Sequence, residues 1–97
     1  MSEMGKFLQS LQGRLKKSTR ASPEIGLIMR RTMLREIEEK REVVDSIDRL
    51  IRLLFQSGTM ARDDRVELEL HLRNCKAFRT LTDDIVQKIK ELNHANK

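Results

Sequence analysis

The sequence predicts an all-α protein, a short N-terminal helix followed by a long antiparallel helical hairpin that dimerises into a helical bundle. Apolar residues recur at helical spacing through two stretches of more than thirty residues, on either side of Gln56-Ser57-Gly58-Thr59. Breakers are scarce: Pro23 and four glycines, none of them between residues 27 and 55 or after Gly58. With no Trp, no Tyr and only Phe7, Phe55 and Phe78, the core must be built from Leu, Ile, Val and Met, as in helical bundles. At 97 residues the chain is one helical domain, 1–97, close to the lower limit for a self-sufficient core.

The N-terminal segment, residues 1–21, reads as a basic amphipathic helix and linker. Phe7, Leu8, Leu11 and Leu15 share one face between residues 4 and 17, with Lys6, Arg14, Lys16 and Lys17 mostly off it. Gly13 weakens this helix by about 1 kcal/mol relative to Ala. Residues 18–21 read as a short polar linker.

The second helix spans residues 22–57. Ser22 is a preferred N-cap, Pro23 suits the first helical position, and Glu24 favours the positive end of the helix dipole. Ser57-Gly58 supplies the stop, because Gly adopts the left-handed C-terminal conformation without strain. The third helix spans residues 63–93, capped by Asp63 or Asp64, with Asp64-Arg65-Val66-Glu67 at capping-box spacing. Residues 94–97 are expected to fray.

Heptad positions in the hairpin are Met33, Ile37, Val44, Ile47, Ile51 and Leu54, then Leu68, Cys75, Phe78, Ile85, Ile89 and Leu92. Folded about the turn, residues whose numbers sum to 122 face one another, as Val44 faces Phe78 and Met33 faces Ile89. The same register sets Lys40 against Thr82 as a polar layer. A second apolar stripe is left over: Val43, Leu50, Leu53, Leu70, Leu72, Leu81 and Val86. A stripe wider than one seam means more than one helical neighbour. The first helix covers part of it, and a second copy of the chain is expected to cover the rest.

The net charge of +5 is uneven. Residues 1–35 hold eight basic and two acidic side chains, and residues 36–97 twelve and thirteen. A basic arm on a near-neutral body attracts phosphates or anionic lipid. No apolar run approaches a membrane span, and the start resembles neither a secretory signal nor a myristoylation site. A lone cysteine excludes an internal disulfide and points to a reducing compartment, cytoplasmic or nuclear.

No constellation for catalysis is apparent, so no enzyme is expected. There is no Gly-rich phosphate loop, nothing aligns Ser, His and Asp, and no cofactor is implied. His71 and Cys75 are one turn apart, and His71-Leu72-Arg73-Asn74-Cys75 is similar to the His-x-x-x-Cys of a copper-sensing repressor helix. Such a site needs a second thiolate, so Cys75 reads as a small core residue and no metal site is expected. Residues 44–80, with Leu50-Ile51-Arg52-Leu53-Leu54, a Gly-containing turn and Glu67-Leu68-Glu69-Leu70, resemble a helical hairpin of the tumour-necrosis-factor-α-induced protein 8 family. Members of that family have more helices and a lipid-binding cavity, which a chain this short does not reproduce. The resemblance therefore implies the hairpin alone.

These features predict a non-enzymatic helical protein–protein interaction module, a small regulator or adaptor. It would act on itself, as a homodimer, and on another protein through Leu50, Leu53, Leu70, Leu72 and Leu81. The alternative is sequence-independent binding of duplex RNA or DNA by a basic strip of Arg14, Lys16, Lys17, Arg20, Arg30, Arg31 and Arg35, with backbone phosphates as the target. A third use, attachment of residues 4–17 to a membrane surface, competes with packing of the same apolar face on the hairpin.

Overall fold

The computed structural model describes residues 2–95 as three helices, α1 (Glu3–Arg20), α2 (Pro23–Gln56) and α3 (Arg62–Ala95), and among the described residues there is no strand. The chain is a short helix followed by a long helical hairpin, 55 Å in its longest dimension.

The helix ends differ in detail from the sequence expectation. Ser2 caps α1, its hydroxyl accepting from the Gly5 N–H at 3.1 Å. The expected linker at residues 18–21 is helical as far as Arg20, and Ser18 is buried. Its hydroxyl donates back to the Leu15 carbonyl at 2.7 Å, so the helix keeps its own polar groups satisfied to that point. Ser22 stands at the N-cap of α2 without a side-chain capping bond. At the turn, the Ser57 N–H reaches the Leu53 and Leu54 carbonyls at 3.3 Å, and Gly58 takes φ +70°. α3 starts at Arg62, so Asp63 and Asp64 lie inside its first turn and neither is the cap. They favour the helix start through the dipole instead.

α1 runs antiparallel to α2 and parallel to α3. Its last turn sits beside Arg30, its middle residue Leu11 is fully buried among Met33, Ile37, Ile85 and Ile89, and its first turns pack Met4 and Phe7 against Val44, Cys75 and Phe78. The Phe7 and Phe78 rings stack at 6.0 Å. Burying Leu11 alone contributes about 1.5–3 kcal/mol. Eighteen residues make α1 about 27 Å long, and each 34-residue hairpin helix is about 50 Å. Three helices therefore pack along α2 from about Gly26 to about Ile47. The remaining stretch towards the turn, about 15 Å long, has two.

The core row of α2 departs from the expected heptads. Lys40, Ile47 and Leu54 are not in the core: Lys40 is exposed, with its Nζ 5.8 Å from the Phe7 ring centre, and Ile47 and Leu54 are more than two-fifths exposed. The buried row passes one residue further on, through half-buried Arg41, then Asp48, then half-buried Phe55. Arg41, not Lys40, meets Thr82: its Nε donates to the Thr82 hydroxyl at 3.0 Å, and its second nitrogen reaches the Arg79 carbonyl at 3.1 Å and the Asp83 carboxylate. On α3 the row Cys75, Phe78, Thr82, Ile85 and Ile89 is buried at heptad spacing, while Leu68 and Leu92 at its two ends are half-buried.

Candidate helix-docking face

The face of the hairpin that carries α1 continues past the first turn of α1 with no other described residue packed on it. On α2 it is the row Val43, Ile47, Leu50 and Leu54, spaced four, three and four residues apart and so in line along one side of the helix. On α3 the matching row is Leu70, Asn74, Ala77 and Leu81. Val43 lies beside Phe7, and Leu81 beside Leu8, so both rows emerge from under α1. Val43, Ile47, Leu50, Leu54, Leu70 and Leu81 are between 41 and 58% exposed. The mouth of the uncovered stretch is a cleft of about 440 Å³, floored by Ile47, Cys75, Phe78 and Leu81 and closed at one end by Met4.

This arrangement sorts the residues expected to make protein contacts. Leu50, Leu70 and Leu81 belong to the two rows. Leu72 does not; two residues from Leu70 it is turned about 200° round α3, and it is half-buried on the far side of the hairpin. Leu53 is exposed but lies on the outward side of α2, a similar rotation from buried Ile51. Ile47 and Leu54 belong to the docking rows rather than the core. The signal was present in the sequence, since 43, 47, 50 and 54 are themselves a heptad series.

The basic strip is not assembled as expected. Arg30 is 1% exposed, with its Nε donating to Asn93 Oδ1 at 2.6 Å and one terminal nitrogen to the Ser18 hydroxyl and carbonyl at 3.3 and 3.4 Å. Arg14 is half-buried and paired with Glu36. Arg30 is thereby withdrawn from solvent, whereas Arg14 stays about one-third exposed. Lys16, Lys17, Arg20, Arg31 and Arg35 are exposed.

The opposite side of the hairpin is polar and internally paired. Arg79 bridges Asp45 and Asp48 at 3.1 and 3.0 Å, and Arg52 reaches Asp48 from one turn away at 2.6 Å. The Arg52 hydrogen bond, helped by Arg79 and opposed by burial, holds the Asp48 carboxyl below the usual carboxylate range. The two carboxylates push the Arg79 pKa up. Burial, chiefly, pushes the Cys75 thiol up.

His71 is exposed and Cys75 buried, both at the cleft, and among the described residues no three or more His, Cys, Asp or Glu side chains gather where they would hold a metal ion. No described helix is long and apolar enough to cross a membrane. The apolar face of α1 is turned onto the hairpin, with Leu11 buried and Phe7, Leu8 and Leu15 packed against the core.

No family model, curated protein or solved structure matches the chain.

Proposed function

We propose that the protein is a helix–helix interaction module, a small adaptor or regulator that docks helices on the stretch of its hairpin between the first turn of α1 and the turn. The observation that carries this reading is the continuation of the apolar row Val43, Ile47, Leu50 and Leu54 of α2 past the first turn of α1, half-exposed, with Leu70 of α3 exposed beside it. Three helices share a core along most of the molecule. Along the last 15 Å or so towards the turn a single seam is left, with Ile51 and half-buried Phe55 on one side of it. Exposed apolar side chains arranged in a row along one helix, rather than scattered singly, fit the groove into which an amphipathic helix lays its apolar face.

The test is a methyl NMR titration of the whole chain with a designed amphipathic Leu/Ala/Lys/Glu peptide of about the length of α1. Shifts confined to Ile47, Leu50, Leu70 and Leu81 and unaffected by salt are expected. Peptide binding that leaves these methyls unmoved would refute the site. A parallel titration with a duplex of about 20 base pairs addresses the alternative. Binding that fades steeply with salt and is lost on neutralising Lys16, Lys17, Arg20, Arg31 and Arg35 would move phosphate recognition ahead of helix docking.

A further inference from the structure

We infer that the first turns of α2, with the last turn of α1 beside them, form a docking surface for an anionic lipid bilayer, which two exposed isoleucines enter among basic side chains. The inference goes beyond the helix-docking reading, concerns the opposite end of the molecule and is tested separately from it.

Charge places the surface. Residues 14–35 carry seven basic side chains and one acidic one, Glu24, on a chain whose whole net charge is +5. Arg14 is paired with Glu36 and Arg30 is buried, which leaves Lys16, Lys17, Arg20, Arg31 and Arg35 exposed against Glu24. The last turn of α1 rests on α2 at Gly26 and Arg30, so these cations gather at one end of the molecule. The Arg14–Glu36 pair crosses between two antiparallel helices. Lys17, one turn on from Arg14, and Ile25, three turns back from Glu36, therefore lie on the same flank of the α1–α2 pair.

Two large apolar side chains stand within this charge. Ile25 and Ile28 are 55 and 62% exposed, and every other large hydrophobic of comparable exposure among the described residues lies at Val43 or beyond. Ile28 is two residues from buried Gly26 and two from buried Arg30, which turns it about 200° round α2 from each and points it away from the core. Ile25 precedes it by three residues, and Arg31 and Arg35 follow it by three and seven, so the four share one outward face.

An anionic bilayer satisfies both parts of the patch. Lipid phosphates and carboxylates attract the cations, each Lys or Arg near such a surface being worth about fivefold in affinity. Isoleucine side chains seat at the boundary between headgroups and acyl chains, where their burial adds to that attraction. The arginine stems run beside the isoleucines while the guanidinium groups stay at the headgroup level. A nucleic-acid duplex presents phosphates to the same cations but gives Ile25 and Ile28 nothing apolar to enter, so the isoleucines separate the two ligands.

The experiment is flotation of the full chain with vesicles of phosphatidylcholine alone, and with about 30% phosphatidylserine, at about 50 and 300 mM salt. Binding is expected on the phosphatidylserine vesicles at low salt, at least about tenfold weaker at high salt, and absent on phosphatidylcholine. Ile25→Ser, Ile28→Ser keeps every charge and, because both side chains are exposed, the helical circular dichroism; it is expected to weaken binding at least about tenfold. Arg31→Gln, Arg35→Gln is expected to weaken it about 25-fold. Leu50→Ser, Leu70→Ser, equally exposed on the helix-docking face, is expected to bind vesicles as the parent chain does. No vesicle binding at low salt, or binding that the isoleucine change leaves intact, would overturn the inference. So would loss of binding on the Leu50, Leu70 change, which would move the inserting side chains to the docking face. A chain that ignores vesicles but holds a duplex of about 20 base pairs whether or not Ile25 and Ile28 are present would overturn it in favour of nucleic acid.

Discussion

A Cβ added at Gly26 would lie 2.5 Å from the backbone carbonyl oxygen of Ser18 and 3.0 Å from an Arg30 terminal nitrogen. The last turn of α1 rests directly on the backbone of α2, and the absence of a side chain lets it. A carbonyl in a helix cannot retract alone, so Gly26→Ala must shift α1 as a body. The expected cost is about 1–3 kcal/mol, the range for overpacking, despite the gain in helix propensity. Gly13 is the internal control. It is exposed, mid-helix, with nothing within 4 Å of an added Cβ, and Gly13→Ala is expected to stabilise by about 0.5–1 kcal/mol. Urea unfolding of the two variants should move the midpoint in opposite directions.

Arg30 is buried beside that contact without a carboxylate within salt-bridge distance among the described residues, and its second terminal nitrogen has no partner. The Ser18 carbonyl, near the negative end of the α1 dipole, and the Asn93 side chain offset the desolvation in part. A buried charge with incomplete pairing contributes little net stability, yet its volume is needed. Arg30→Met, which retains most of the stem, is therefore expected to be neutral or stabilising. Arg30→Ala opens a cavity and is expected to cost about 2–4 kcal/mol. A thermal melt of both variants separates these outcomes. Equal loss in both would mean that the guanidinium hydrogen bonds outweigh the packing.

The hairpin was legible in the sequence because its limits are set by local chemistry: Ser22-Pro23-Glu24 at one end, Ser57-Gly58 at the other. Its second helix was legible row by row, since Cys75, Phe78, Ile85 and Ile89 are apolar and evenly spaced. The core row of α2 was not, because it passes through Arg30, Arg41 and Asp48. Charged residues are almost never fully buried unless paired, so an apolar pattern steps from Asp48 to the adjacent Ile47, and a heptad drawn through Ile47 also takes in Lys40 and Leu54. The spacing still held the answer: Val44, Asp48, Ile51 and Phe55 form an unbroken four, three, four series. The level that the first turn of α1 reaches along the hairpin was not legible, because it is set by packing against Val44 and Cys75, which lie far off in sequence. That level divides the surplus apolar stripe into a covered and an open part.

Asp48 links the polar side of the hairpin to pH. It is 6% exposed and its carboxyl is held low by Arg52 and Arg79, so its folded pKa is below the unfolded value of about 3.9. A depressed pKa means that the stabilisation is complete above the unfolded value and is lost as pH falls through the folded one. Stability should thus be level from about pH 5 to 7 and decline below about pH 4. Asp48→Asn leaves Arg79 with Asp45 alone, and is expected to cost about 1–3 kcal/mol at pH 7. It should also flatten the decline between pH 4 and 2. An acid limb as steep in Asp48→Asn as in the parent chain would assign the pH dependence to other carboxylates.

Cys75 reports on whether the first turns of α1 lift from the hairpin. The thiol is 2% exposed, packed in a cluster with Val44 and Phe78 that Met4 and Phe7 cover, and burial pushes its pKa up. Both effects suppress thiolate chemistry. Reaction with a disulfide reagent at pH 8 should therefore be at least about 100-fold slower than in the urea-unfolded chain, reflecting an opening free energy of about 3 kcal/mol or more. The pH profile should still be rising where a free cysteine peptide has levelled off. Phe7 stacks on Phe78 but belongs to the shorter helix, so Phe7→Ala is expected to release the first turns of α1 before the hairpin opens. Labelling should then accelerate by more than the loss in global stability accounts for. If labelling and urea unfolding change in step, Cys75 is exposed only when the whole molecule unfolds, and α1 and the hairpin are one cooperative unit.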